Sequence, residues 1–138
     1  MIAPSCEALF SQSDILSLHL RLADSTRFVV TQDLLALMKP TALLVNTSHP
    51  ELVEQDALIA ALNKGRPGMA AVDVFDNEPI LQGHALLRLE NCICTPHIGY
   101  VELENYEAMF GAAFDNVVSF IRGTPTNIVN PGALQVLR

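Results

Sequence analysis

The sequence predicts an α/β protein with an open parallel sheet, and three observations carry that prediction. Short apolar runs alternate with helix-patterned segments at the spacing of strand–helix–strand units. The run 41–46 is almost continuously apolar, as expected of a parallel strand covered on both faces. Four runs end in a polar cluster: Ile15–Leu18 in His19, 42–45 in Asn46-Thr47-Ser48-His49, 70–72 in Asp73, and Cys92–Cys94 in Thr95-Pro96-His97. In such sheets the ligand crevice lies outside the carboxyl ends of the strands. Four polar strand ends in succession therefore predict one site assembled from four loops.

The elements follow in order. Residues 14–20 read as a buried strand. Thr31 can cap a helix over 32–38, which Pro40 stops. After the strand 41–46, a second helix is expected over 53–63, with Ala57, Leu58, Ala61 and Leu62 on one face and Gly65 just past its end. Residues 69–75 and 91–95 are the third and fourth strands. The stretch 76–89, with Pro79 and Gly83, reads as a loop holding at most one short helical turn. A long helix spans 101–122 and closes at Gly123. Leu103, Tyr106, Phe110, Ala113, Val117 and Phe120/Ile121 form a broad apolar stripe on it, the pattern of an ordinary core face. The tail 124–138 carries Pro125, Pro131 and Gly132 and is expected to be extended.

Composition narrows the function classes. Half of the 138 residues are hydrophobic and 17% are charged, which argues against disorder. No apolar run approaches the ~20 residues a membrane span needs. The first six residues lack the basic start and apolar core of a signal peptide, so a cytoplasmic protein is expected. A net charge of −7 disfavours nucleic acid as a partner. The acidic clusters Glu51/Glu54/Asp56 and Glu102/Glu104/Glu107 read as first turns of helices, where the helix dipole favours carboxylates. Cys6, Cys92 and Cys94 are too few for a disulfide framework. Cys92 and Cys94 should share one strand face as small hydrophobes, and their spacing with His97 fits no common zinc pattern, so no metal is assigned.

Three motifs stand in order along the chain: Leu43-Leu44-Val45-Asn46-Thr47-Ser48, then Ala71-Val72-Asp73-Val74-Phe75 with Glu78-Pro79, then Thr95-Pro96-His97-Ile98-Gly99. Together they resemble the D-isomer-specific 2-hydroxyacid dehydrogenases, a group that includes phosphoglycerate, glycerate and D-lactate dehydrogenases. The resemblance runs from Leu9-Phe10 to Asn127-Ile128-Val129-Asn130-Pro131. It implies the second half of a doubly wound, Rossmann-like parallel sheet, followed by a long C-terminal helix and an extended tail. Residues 1–100 would be the C-terminal half of an NAD-binding domain, and 101–138 the helix and tail that in the family return to the catalytic domain.

The resemblance also assigns roles. His97 would be the acid/base that exchanges a proton with the substrate hydroxyl; free histidine titrates near pH 6.5, which suits work in both directions. Glu78 would hold that histidine and stabilise its imidazolium. Asp73 matches the residue that bonds the nicotinamide carboxamide. Leu20, Thr47, Ser48 and Gly99 match positions that line the cofactor, and His19 one that lies near it. The cofactor implied is NAD, with NADP not excluded, and the substrate a 2-hydroxy or 2-oxo acid.

Two features depart from the family pattern. The family clamps the substrate carboxylate with an arginine, and that position is His49, followed by Pro50. A guanidinium binds a carboxylate bidentately, which an imidazole cannot copy. Loss of one partner of a buried charge pair costs about 2–5 kcal/mol. Secondly, the glycines are Gly65, Gly68, Gly83, Gly99, Gly111, Gly123 and Gly132, so no Gly-x-Gly-x-x-Gly phosphate loop is present. The chain thus looks like the C-terminal portion of a dehydrogenase, inactive by itself, with weak or no cofactor binding. The alternative is a truncated pseudoenzyme or binding module without catalysis. An unpaired sheet edge and a partly uncovered helix predict a homo-oligomer.

Overall fold

The computed structural model describes residues 2–135. The chain divides into two compact units, Met1–Gly99 and Tyr100–Arg138. In the first, α1 (Cys6–Gln12), β1 (Ile15–Leu18), α2 (Gln32–Leu37), β2 (Leu43–Asn46), α3 (Ala57–Asn63), β3 (Met69–Val72) and β4 (Cys92–Cys94) follow one another. The strands form one four-stranded sheet in the order β1-β2-β3-β4, and every pairing is parallel. Because all strands run the same way, their carboxyl ends share one edge, as the polar strand ends require.

Most elements form where the sequence places them, with shorter strands. Thr31 caps α2 through its side chain, which accepts the Leu34 N–H at 3.3 Å. α3 ends at Gly65, whose φ of 72° is open to glycine; Gly65 N–H bonds Leu62 O and Arg66 N–H bonds Ala61 O. Helix α1 was not expected. Ser5 caps it by accepting the Ala8 N–H at 3.2 Å, and Phe10 buries its one core contact.

The helix expected over 53–63 begins only at Ala57. Ahead of it Pro50–Leu52 form a 3₁₀ turn, and Val53 is extended, bridged to Val30. The acids expected in the first turn of one helix consequently have separate places. Glu51 lies in the 3₁₀ turn, Glu54 accepts the Gln32 N–H of α2 at 3.0 Å, and Asp56 precedes α3 with a left-handed φ of 58°. Between β3 and β4 the loop carries a single 3₁₀ turn, Ala85–Arg88.

The core lies on one side of the sheet. Leu16, Leu18, Leu44, Ala70 and Val72 point into a cluster with Phe10, Leu35, Met38, Ala57, Leu58, Ala61 and Leu62 from α1, α2 and α3. The cover expected on both faces of the strand 41–46 is partial among the described residues: Leu43 and Val45, away from the core, are half-buried. On the other face Ile15, Met69 and Ile93 are 68%, 45% and 56% exposed. Successive crossovers of one hand place their helices on one side of the sheet.

The second unit holds α4 (Leu103–Ile121). Gly123, with φ of 77°, closes it, and Thr124 N–H reaches back to Ser119 O. Its apolar stripe is no core face: none of the helix is buried, and Phe114 and Ile121 are 68% and 76% exposed. Tyr106, Phe110 and Phe114 stack along it with centroids 5.4 and 6.5 Å apart. The tail, expected to be extended, makes a 3₁₀ turn over Pro131–Gln135. Val136, Leu137 and Arg138 lie outside the described residues. Among those described, no helix is long and apolar enough to cross a membrane.

Candidate active site

The sheet ladder continues one step past β3 and β4. Asp73 N–H donates to Asn46 O and Thr95 N–H to Val72 O, each at 3.0 Å, which sets Asp73 and Thr95 side by side at the carboxyl edge. There the Asp73 carboxylate, 4% exposed, collects three donors. Its Oδ1 accepts the Thr95 hydroxyl at 2.5 Å and the Ile98 N–H at 2.9 Å, and its Oδ2 accepts the Gly99 N–H at 2.7 Å. Burial pushes the Asp73 carboxyl up, but the Thr95 hydroxyl, the two amides and the charge of His97 outweigh it. The net position is below the usual aspartate range.

His97 sits inside the turn that these bonds define, with a left-handed φ of 57°. Its Nδ1 lies 2.7 Å from Glu78 Oε2, while Glu78 Oε1 accepts the Phe75 N–H at 2.9 Å. The imidazole first, and the Phe75 amide second, hold the Glu78 carboxyl below its ordinary value. Both members of the pair are partly exposed, with side-chain exposures of 50% for His97 and 34% for Glu78. A histidine oriented by a carboxylate at one ring nitrogen can exchange a proton with a ligand through the other.

The remaining expected residues gather around the ends of β1 and β2. Asn46, 3% exposed, bonds His49 O through its Nδ2 at 2.9 Å and accepts the Ser48 N–H at 3.1 Å. Ser48 donates its hydroxyl to Leu20 O at 2.7 Å, tying the loop after β1 to the loop after β2. His49 is extended, at φ −139°, as Pro50 demands of the residue before it. His19 pairs with Ser17, Nε2 to Oγ at 2.9 Å, within its own strand end. Thr47 and Gly99 approach closely: a Cβ on Gly99 would stand 3.9 Å from Thr47 Cβ and 2.9 Å from Asp73 Oδ2.

Several contributors carried no role in the sequence reading. Thr95 and Asn46 were legible as members of polar strand ends and of the motifs, with no role of their own. The Phe75 amide has no side-chain signal. A cleft of about 360 Å³ shares Asn46 and Phe75 with this edge and is lined also by Phe28, Pro50, Glu51 and His84 among others; His97, Glu78, Asp73 and His49 do not line it. Cys92 and Cys94 share a face as expected, Sγ to Sγ 3.8 Å, and burial, with Cys94 beside it, pushes the Cys92 thiol up to about 12. Neither is therefore a reactive thiolate near neutral pH.

Residues 2–99 match the family model for the D-isomer specific 2-hydroxyacid dehydrogenase NAD binding domain. A glyoxylate reductase of Aeropyrum pernix is 41% identical over 133 residues, covering 96% of this chain and 40% of that protein. A hydroxypyruvate reductase of Blautia hydrogenotrophica is 39% identical over 125 residues, 90% of this chain and 38% of that protein. Among solved structures, an oxidoreductase from Ralstonia solanacearum superimposes with a TM-score of 0.91 at 62% identity, over 96% of this chain and 39% of that one. A D-lactate dehydrogenase from Aquifex aeolicus, complexed with NAD and lactic acid, gives 0.75 at 30% identity over 87% and 40%. The chain spans about 40% of the length of the curated relatives it matches. The chain belongs to the D-isomer-specific 2-hydroxyacid dehydrogenases, its residues 2–99 matching the NAD-binding domain of that family.

Proposed function

We propose that this chain supplies the proton-handling and nicotinamide-facing part of a dehydrogenase acting on a 2-hydroxy or 2-oxo acid in the cytoplasm. The observation that carries the reading is the His97–Glu78 pair, Nδ1 to Oε2 at 2.7 Å, at the carboxyl edge of a parallel sheet. NAD, or NADP, would accept the hydride when a 2-hydroxy acid is oxidised and, in its reduced form, would donate it when a 2-oxo acid is reduced. The residues present fit its nicotinamide end: Asp73 offers an acceptor at a strand end, and Gly99 lacks the Cβ that would strike that carboxylate. Thr47, Ser48 and Leu20 complete that edge. In the direction of 2-oxo acid reduction, His97 delivers a proton to the substrate oxygen through Nε2 while Glu78 holds Nδ1. In oxidation it takes the proton back, and the Glu78 carboxylate stabilises the imidazolium.

The phosphate-binding glycine motif is not in this sequence, so the 138 residues by themselves are expected to be inactive and to bind the cofactor weakly. His49-Pro50 supports a second reading, a binding module without catalysis, because the carboxylate-clamping arginine is lacking. One experiment separates the two readings. This chain replaces the matching segment of the Aeropyrum pernix glyoxylate reductase, and NADH oxidation is followed with glyoxylate and hydroxypyruvate. The enzyme reading expects turnover that His97→Asn abolishes and that His49→Arg with Pro50→Gly raises about 30-fold or more, the lower end of a lost charge pair. Turnover that survives His97→Asn contradicts it. Turnover that appears only after the arginine is restored favours the binding module.

A further inference from the structure

We propose that Asp73 is a positioning residue for His97: its buried carboxylate pins the 95–99 turn and so holds the imidazole against Glu78. The inference deepens the reading of His97 as the acid/base and rests on it. The donors that reach Asp73 come from Thr95, Ile98 and Gly99, on both sides of His97 in the chain. The turn between them also closes on itself, His97 N–H donating to Thr95 O at 3.0 Å. His97 itself has φ of 57°, a conformation that persists where surrounding bonds over-determine it. Asp73 is in turn fixed from below, since its own N–H extends the sheet ladder to Asn46 O.

Gly99 shows how close the fit is. Its amide reaches Oδ2 at 2.7 Å, and a Cβ at that position would stand 2.9 Å from the same oxygen. A carboxylate has about four lone-pair positions. Three are taken by the turn, and the fourth, on Oδ2, is left for a ligand amide such as the nicotinamide carboxamide. Asp73 therefore links the place of the cofactor to the placement of the acid/base through one side chain. A residue whose task was cofactor binding alone would have no need of the two amides that follow His97 and the Thr95 hydroxyl that precedes it.

The test uses the 138-residue chain, isotopically labelled, with neither cofactor nor substrate present. Amide exchange at Ile98 and Gly99 and the titration of the Glu78 carboxyl are measured in the wild type, in Asp73→Asn and in Gly99→Ala. In Asp73→Asn the two amides should exchange at least about tenfold faster. The Glu78 carboxyl should move up toward its ordinary value as the imidazole leaves it, while Leu44 and Ala70 in the sheet keep their protection. Gly99→Ala should produce the same pattern with the carboxylate intact, and it carries the test if Asp73→Asn fails to fold. Freed amides with an unchanged Glu78 titration would overturn the proposal, as would unchanged amides. A chimera whose turnover survives His97→Asn would sink the functional reading and leave this measurement standing, so the two failures are separable.

Discussion

At the scale of the residue, the chemistry of this edge rests on two carboxylates held below their usual range, and that has a pH consequence. Glu78 is lowered by His97 and by the Phe75 amide, Asp73 by Thr95 and the two turn amides against the cost of burial. A carboxylate with a depressed native pKa contributes stability above its unfolded value and loses it as pH falls through the native one. The 95–99 turn should thus be fully held above pH 4.5, the ordinary value for Glu78, and loosen progressively below it. A carbon-detected titration of the Glu78 carboxyl checks this, with a midpoint below 4.5 expected; a midpoint at or above it would mean that His97 does not hold Glu78 in solution. The identities of His97, Glu78 and Asp73 were legible because each stands in a motif. Their roles as a connected unit were not, because the joints are backbone amides of Phe75, Ile98 and Gly99, which leave no mark in side-chain chemistry.

At the scale of the element, α2, α3 and the four strands were readable from caps, stops and apolar period, since each carries its own local signal. Helix α1 escaped because it is seven residues long and only Phe10 is buried, too short a stretch to display a periodicity. The segment 53–56 was misread for the opposite reason. Its acids look like a helix start, but Val53 is bridged to Val30 as extended chain, and Glu54 accepts the Gln32 N–H at the first turn of α2. The approach of α3 and β3 to the stop after α2 depends on Gly68, where a Cβ would meet Pro40 O at 1.9 Å. Backbone cannot yield as a flexible side chain does, so Gly68→Ala should destabilise the chain by about 1–3 kcal/mol, the usual cost of overpacking. Chemical denaturation checks it; an unchanged midpoint would show that the β2–β3 approach is slack.

At the scale of the whole molecule, what stands out is apolar surface left open. One face of the sheet exposes Ile15, Met69 and Ile93, and α4 exposes Leu103, Phe114 and Ile121. The stripe on α4 was read as an apolar face of core type that is left partly uncovered, and its exposure agrees with the second half of that reading; periodicity reports that a face wants cover and not what supplies it. Exposed patches of this kind drive association. We therefore expect a dimer or higher oligomer in light scattering at micromolar concentration, and a monodisperse monomer would contradict that expectation. The central claim concerns the carboxyl edge of the sheet, and an NADH titration of the isotopically labelled chain tests it most directly. The predicted result is weak binding, with Kd on the order of 1 mM or weaker and amide shifts confined to Thr47, Asp73, Gly99 and their neighbours. Micromolar saturation, or shifts that avoid those strand ends, would contradict it.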